Sequence, residues 1–185
     1  MPRIFTGIEI PAEIGAQLQL LRGGLHGARW VEPENYHITL RFIGDIDDAA
    51  AHEIISLLAR VRRAPFALQL TGLSSFGGRK PRAIIASVEL SRELAELQAE
   101  HERLMQRAGL APEGRKYAPH VTLARLRDVS SREVADYLAM RGYFQPLSFD
   151  VERFVLYSAR ASTGGGPYVV EADFPLLDRQ ARRAI

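Results

Sequence analysis

The sequence predicts an α+β protein with two pseudo-symmetric lobes of antiparallel strands, helices outside and a central cleft. Three observations lead there. First, strand-like and helix-like patterns follow one another in the order β-α-β-α-β-β-α-β-α-β-β, so neither all-α nor all-β packing accounts for the chain. Second, Tyr36-His37-Ile38-Thr39-Leu40-Arg41-Phe42-Ile43-Gly44 is echoed 83 positions later by Pro119-His120-Val121-Thr122-Leu123-Ala124-Arg125, one His-x-Thr-Leu in each half. Third, no linker of disordered composition and no repeat of 20–50 residues divides the halves, so residues 1–185 are expected to form one bilobal domain.

The elements follow in order. Arg3 to Ile10 alternates as a strand and Pro11 ends it. Ile14, Leu18 and Leu21 at helical spacing predict a helix from Pro11 to about Leu25. Arg29-Trp30-Val31 is a short strand before a turn at Glu32-Pro33-Glu34-Asn35, and the strand from His37 closes at Gly44-Asp45. Asp47 is suited to cap a helix running to Arg62 with Ile54, Leu57, Leu58 and Val61 as its apolar stripe. Strands follow over 66–73 and 83–90, with a loop over 74–82. Ser91 caps a helix to Ala108, ended by Gly109, and Ser130 or Ser131 caps another to Arg141. The last strands are Phe149 to Ala159 and Tyr168 to Phe174, joined by a turn containing Gly164-Gly165-Gly166.

Composition excludes several classes. There is no cysteine, which removes disulfides and thiolate metal sites and fits a reducing cytoplasm. No run of about 18 apolar residues occurs, so no membrane span is expected. The N-terminus lacks a signal-peptide layout. A net charge of +2 does not by itself identify a nucleic-acid partner. The basic residues do cluster, at Arg79, Lys80 and Arg82 of the 77–82 loop and at Arg179, Arg182 and Arg183 of the tail. The loop is either an RNA-gripping element or a solvated turn. The tail reads as a frayed solvated end.

The paired motif carries chemistry. Alternate side chains of a strand share a face, so His37 goes with Thr39 and His120 with Thr122, with Ile38, Leu40, Val121 and Leu123 behind them. Residues two apart lie roughly 6.6 Å apart along a strand, close enough for a His and its Thr to touch one small ligand. Imidazole titrates at about 6.5, and two facing imidazoles suit an in-line phosphodiester displacement, one taking a proton from water and one giving a proton to the leaving oxygen. The two hydroxyls suit the non-bridging oxygens, where charge builds up. No metal is required, and neither histidine has a carboxylate or a second histidine at ligand spacing. His26, His52 and His101 have no matching threonine and receive no role.

In these residues the chain resembles the two-histidine phosphoesterases, specifically the LigT-like RNA 2′,3′-cyclic phosphodiesterases, also called 2′-5′ RNA ligases. The resemblance runs from Arg3-Ile4-Phe5-Thr6-Gly7-Ile8 through Arg29-Trp30-Val31, Asn35 and both motifs to Leu156-Tyr157-Ser158 and Gly166-Pro167-Tyr168. It implies the bilobal two-histidine fold and cleavage of an RNA terminal 2′,3′-cyclic phosphate to a 2′-phosphate, with reverse 2′-5′ ligation as a further capacity. By the same resemblance His37 would be the general acid, His120 the general base, and Thr39 and Thr122 the phosphate-binding threonines. Arg125 and Phe42 would be substrate-binding residues following the two motifs. Their parity is wrong for a regular strand, and a bulge would be needed to turn them into the cleft. Arg41 has cleft parity but reads as a solvated or lobe-bridging charge. The expected partners are RNA ends or nucleotides carrying a cyclic phosphate, with no cofactor, no membrane and a monomeric, cytoplasmic protein. Alternatives are a sister phosphodiesterase acting on 2′-5′ oligonucleotides or ADP-ribose cyclic phosphate, and a non-catalytic RNA-binding module.

Overall fold

A computed structural model describes residues 3–159 and 166–177. In order, its elements are β1 (Arg3–Glu9), α1 (Ala12–Gln19), β2 (Ala28–Trp30), a 3-10 turn (Pro33–Asn35), β3 (His37–Asp45), α2 (Asp48–Leu58), β4 (Phe66–Phe76), β5 (Ala83–Val88), α3 (Arg92–Arg107), β6 (His120–Leu126), α4 (Ser131–Arg141), β7 (Leu147–Val151), β8 (Arg153–Ala159) and β9 (Tyr168–Pro175). The expected caps are present. Asp47 accepts from the Ala50 N–H, Ser91 from the Leu94 N–H, and Ser130 forms a capping box with Glu133.

Several boundaries depart from the sequence reading. The first helix ends at Gln19 rather than about Leu25, because Gly23 and Gly24 take positive φ and turn the chain toward β2. The second ends at Leu58 rather than Arg62, although Val61 stays buried as expected. Strand β4 runs on to Phe76, shrinking the 74–82 loop to a turn over 77–82, and β5 stops at Val88. The single strand expected over 149–159 is two strands broken at Glu152. Gly164, Gly165, Arg179, Arg182 and Arg183 lie outside the described residues.

The nine strands among the described residues join one antiparallel sheet ordered β7-β4-β5-β6-β3-β1-β8-β9, with β2 also paired to β6. Two four-stranded lobes meet at its centre, β3 against β6, and only Ile38↔Val121 pairs across that seam. The lobes are not the two halves of the sequence. Strand β2 crosses from the first half to pair with β6, and after Glu152 the chain leaves β7 on one outer edge and returns as β8 beside β1. Helix α3 packs on β3 and α4 on β4, so each helix layer covers its sheet from outside. The buried cluster includes residues of both lobes, among them Ile38, Leu40, Leu97, Val121, Leu123 and Phe154.

Arg41 and His101 belong to this layer between helix and sheet. Arg41 is 8% exposed, its Nε 2.5 Å from Glu102 of α3, and two of its other nitrogens donate to the Phe42 and Ala111 carbonyls. It therefore points away from the cleft, against its sequence parity, and ties β3 to a helix from the other half. His101 is fully buried, its Nδ1 2.8 Å from Thr6 Oγ1 and its ring edge-on to Phe154, a packing position consistent with the absence of an assigned role.

Candidate active site

The cleft lies over the β3–β6 seam, a cavity of about 870 Å³. Its lining includes every residue singled out from the motifs: His37, Thr39, Phe42, His120, Thr122 and Arg125. The strand alternation accounts for the first pair in each motif, since His37, Thr39, His120 and Thr122 are partly exposed while Ile38, Leu40, Val121 and Leu123 are buried. The strands run antiparallel about Ile38↔Val121, a register that sets Thr122 beside His37 and Thr39 beside His120.

Two bulges explain how Phe42 and Arg125 reach the same face. Along β1–β3 the pairing jumps from Gly7↔Thr39 to Thr6↔Arg41, leaving Leu40 as the extra residue. Along β5–β6 it jumps from Ile85↔Thr122 to Ile84↔Ala124, leaving Leu123 extra. Each bulge buries two consecutive residues and reverses the parity beyond them. The third residue past each threonine then faces the cleft, an aromatic from one motif and a guanidinium from the other.

Both imidazoles are held alike. His37 Nδ1 lies 2.8 Å from the Asn35 carbonyl, and His120 Nδ1 lies 2.7 Å from the Ala118 carbonyl. A carbonyl only accepts, so each Nδ1 carries the hydrogen and each neutral ring keeps its lone pair on Nε2. Burial pushes the His37 pKa down to about 4 against the raising effect of the Asn35 carbonyl, with the charges of His120 and Arg125 pushing the same way. Burial also lowers His120, and Arg125 adds to that. Tyr117 on the approach to β6 donates to the Thr39 carbonyl at 2.9 Å and so ties the second motif to the first.

The two walls differ in chemistry. His37 sits in an aromatic box, with ring centroids of Phe5 at 4.9 Å, Tyr168 at 4.9 Å and Tyr157 at 5.4 Å. Gly7 permits this seat, since a Cβ there would lie 2.8 Å from the Ile38 carbonyl and 3.2 Å from the Tyr157 ring. Phe42, 54% exposed, extends the apolar wall from Phe5 at 5.7 Å. His120 meets one aromatic, Phe76, edge-on at 4.7 Å. The cationic lining comes mostly from the segments of its lobe, Arg82, Arg115 and Arg125, with Arg3 added from β1.

Asn35 was missed by the sequence reading. Its carbonyl orients His37, and its Oδ1 accepts from the Tyr168 N–H at 3.1 Å. Gly166 makes room, because a Cβ there would fall 2.5 Å from Asn35 Cγ. A signal was available, since Asn35 and Gly166-Pro167-Tyr168 both fall in the stretches that carried the family resemblance. What the sequence does not give is that the two stretches meet. Phe5 was read as a strand residue with no role at the site, and Phe76 as part of the 74–82 loop.

A family model described as LigT-like phosphoesterase matches the chain twice, over residues 8–86 and 85–168. The chain belongs to this family. Each match holds one His-x-Thr-Leu, and they overlap at residues 85 and 86 within β5. Among relatives of the LigT-like chain is the RNA 2′,3′-cyclic phosphodiesterase of Aquifex aeolicus (strain VF5), 31% identical over 153 residues, covering 80% of this chain and 81% of that one. The enzyme of the same name from Thermotoga maritima is 31% identical over 179 residues, covering 91% and 92%. Among solved structures, E. coli LigT complexed with 3′-AMP superposes with a TM-score of 0.76 at 25% identity, covering 96% of this chain and all of that one. The bilobal two-histidine fold expected from the motifs is therefore the fold observed.

Proposed function

We propose that this LigT-like chain opens the 2′,3′-cyclic phosphate of an RNA end to a 2′-phosphate, His37 acting as general acid and His120 as general base. The names of its relatives support the substrate, and the unlike walls of the cleft support the division of labour. In an in-line displacement the water enters opposite the departing 3′ oxygen, and that oxygen stays with the nucleoside. The aromatic wall suits the ribose and base, which puts the leaving oxygen beside His37. The open, cationic side suits the water, beside His120. Thr39 and Thr122 donate to the non-bridging oxygens, Arg125 balances the anion, and Phe42 lines the nucleoside side. In reverse, the same groups would join a cyclic end to a 5′-hydroxyl, with hydrolysis favoured in water.

No metal is needed for these steps, and the described residues include no group of three or more His, Cys, Asp or Glu suited to hold one. One chain carries both motifs and both walls, so a monomer of one bilobal domain suffices. No helix among the described residues is long and apolar enough to cross a membrane. We place the protein in the cytoplasm on its lack of cysteine.

The test is incubation with a nucleoside 2′,3′-cyclic phosphate and with an oligonucleotide bearing the same end, in EDTA, with separation of 2′- from 3′-phosphate product. A pure 2′-phosphate is the expected outcome. A 3′-phosphate would reverse the regiochemistry, and no turnover of either substrate would point to a sister phosphodiester or to a binding role.

Asn35 supplies a subsidiary prediction. Asn35→Ala keeps the carbonyl that orients His37 but removes the acceptor of the Tyr168 N–H. The loss of one hydrogen bond is worth about 0.5–1.5 kcal/mol, roughly two- to tenfold in kcat/KM. Gly166→Ala, which needs an overlap relieved at a φ of +98°, should cost more. Steady-state kinetics on the cyclic phosphate checks both, and wild-type values for Gly166→Ala would show that the clasp does not matter.

A further inference from the structure

We propose that Arg82 is a second anion-binding residue of this site, holding the phosphate on the 5′ side of the terminal nucleotide, so that the enzyme favours a polynucleotide end over a nucleoside cyclic phosphate. The inference rests on the cyclic-phosphate reading of the cleft and adds a residue that the motifs do not include.

The charge pattern of the cleft is the starting point. Among the described residues four arginines line it, Arg3, Arg82, Arg115 and Arg125, and no carboxylate does. Arg115 is already engaged, its Nε 3.1 Å from Glu113. Among the described residues no ion pair involves Arg82 or Arg125, whereas Arg22, Arg41, Arg63, Arg92 and Arg153 all have carboxylate partners.

Arg82 and Arg125 are neighbours by register. Arg125 pairs with Ala83 across β5–β6, and Arg82 is the residue leading into that pair. Both residues line the one cavity, and the Leu126 N–H donates to the Arg82 carbonyl beside Arg125, so two cations without carboxylate partners serve a single pocket. Like charges held together raise each other's energy unless anions separate them. The single negative charge of a cyclic phosphodiester matches one guanidinium. An RNA end supplies the second as its next phosphodiester, since every linkage in the chain carries one negative charge.

Arg82 is also held in place, unlike an ordinary residue of a solvated turn. Its N–H donates to the Phe76 carbonyl at 2.7 Å, and its carbonyl accepts from the Leu126 N–H at 2.8 Å. The turn is tight. Lys80 N–H donates to the Gly77 carbonyl at 3.0 Å, and Gly77 has φ +110°, where a Cβ would meet the Lys80 carbonyl at 2.2 Å. Of the three cations in this turn, Arg82 lines the cleft, and Arg79 and Lys80 do not. The two alternatives for the basic loop thus divide within it: Arg82 belongs to the site, and its two neighbours are exposed on the turn. Because the contacts at Arg82 are made by its backbone and the residue is exposed, truncating its side chain leaves the turn's hydrogen bonds in place.

The test compares cytidine 2′,3′-cyclic phosphate with a dinucleotide ending in the same cyclic cytidylate, for the wild type, Arg82→Ala and an Arg79→Ala/Lys80→Ala double variant. The wild type should have the higher kcat/KM on the dinucleotide. Arg82→Ala should lower the dinucleotide-to-mononucleotide ratio about ten- to a hundredfold, the usual worth of a charge-assisted hydrogen bond, mostly through KM. It should also reduce the salt dependence on the dinucleotide by about one phosphate contact. The double variant should keep the wild-type ratio. A ratio unchanged by Arg82→Ala overturns the assignment, including the case in which both substrates slow equally, as a purely structural effect would produce. Wild-type turnover of neither substrate defeats the underlying reading of the cleft, and this proposal with it.

Discussion

Alanine in place of either His37 or His120 should lower kcat on a cyclic phosphate about a hundred- to ten-thousandfold, the usual contribution of a positioned acid or base. The double variant should be little worse than either single one, because the two imidazoles serve one displacement and neither is useful without the other. Folding should survive, since both side chains are partly exposed in the cleft and the strands are held by Ile38, Leu40, Val121 and Leu123 behind them. Thr39→Ala and Thr122→Ala should cost less, about ten- to a thousandfold, as loss of one donor to an oxygen that gains charge. Single-turnover kinetics with circular dichroism on each variant decides the matter. Near-wild-type rates for either histidine variant would overturn the mechanism. A threonine costing as much as a histidine would mean that phosphate positioning, not proton transfer, dominates.

The reason the motif residues were legible is that they obey local rules. Two-residue periodicity puts His and Thr on one face wherever the strand lies, and the caps at Asp47, Ser91 and Ser130 need only their next turn of helix. Three other features lie beyond local rules for equally physical reasons, and only the first of them was anticipated, through the family resemblance. The sequence places Phe42 and Arg125 on the wrong face and Arg41 on the right one, and all three assignments reverse because of bulges at Leu40 and Leu123. A bulge is a property of the partner strand's register, and neither Leu is unusual in itself. The lobes mix the sequence halves, since the turn at Glu152 sends β8 to the opposite side of the sheet from β7. The aromatic box draws on β1, β8 and β9, separated by up to 163 positions between Phe5 and Tyr168, so only the assembled sheet reveals that the two histidines have unlike surroundings.

Those surroundings set the pH dependence. In the free protein the His37 pKa is pushed down to about 4 and His120 is also lowered, both chiefly by burial. Catalysis needs one imidazolium and one neutral imidazole, a singly protonated pair whose population peaks between the two pKa values. With both values below 6.5, kcat/KM should peak on the acid side of 6.5, whichever histidine is the acid. Above that it should fall about tenfold per pH unit, close to a hundredfold by pH 8.5, as the last imidazolium is lost. The kcat profile reports the complex, where the bound phosphodiester anion favours the imidazolium, so its maximum should lie at higher pH than that of kcat/KM. The acid limb needs a folding control. His37, His120 and the fully buried His101, pushed down to about 3, all bind protons more readily unfolded than folded. The stability held by their neutral forms is complete above about pH 6.5 and drains away as the pH drops below it. Rate profiles taken with circular dichroism at each pH separate the two effects. A kcat/KM maximum at or above pH 7 would show that burial in the cleft does not govern the protons of this pair.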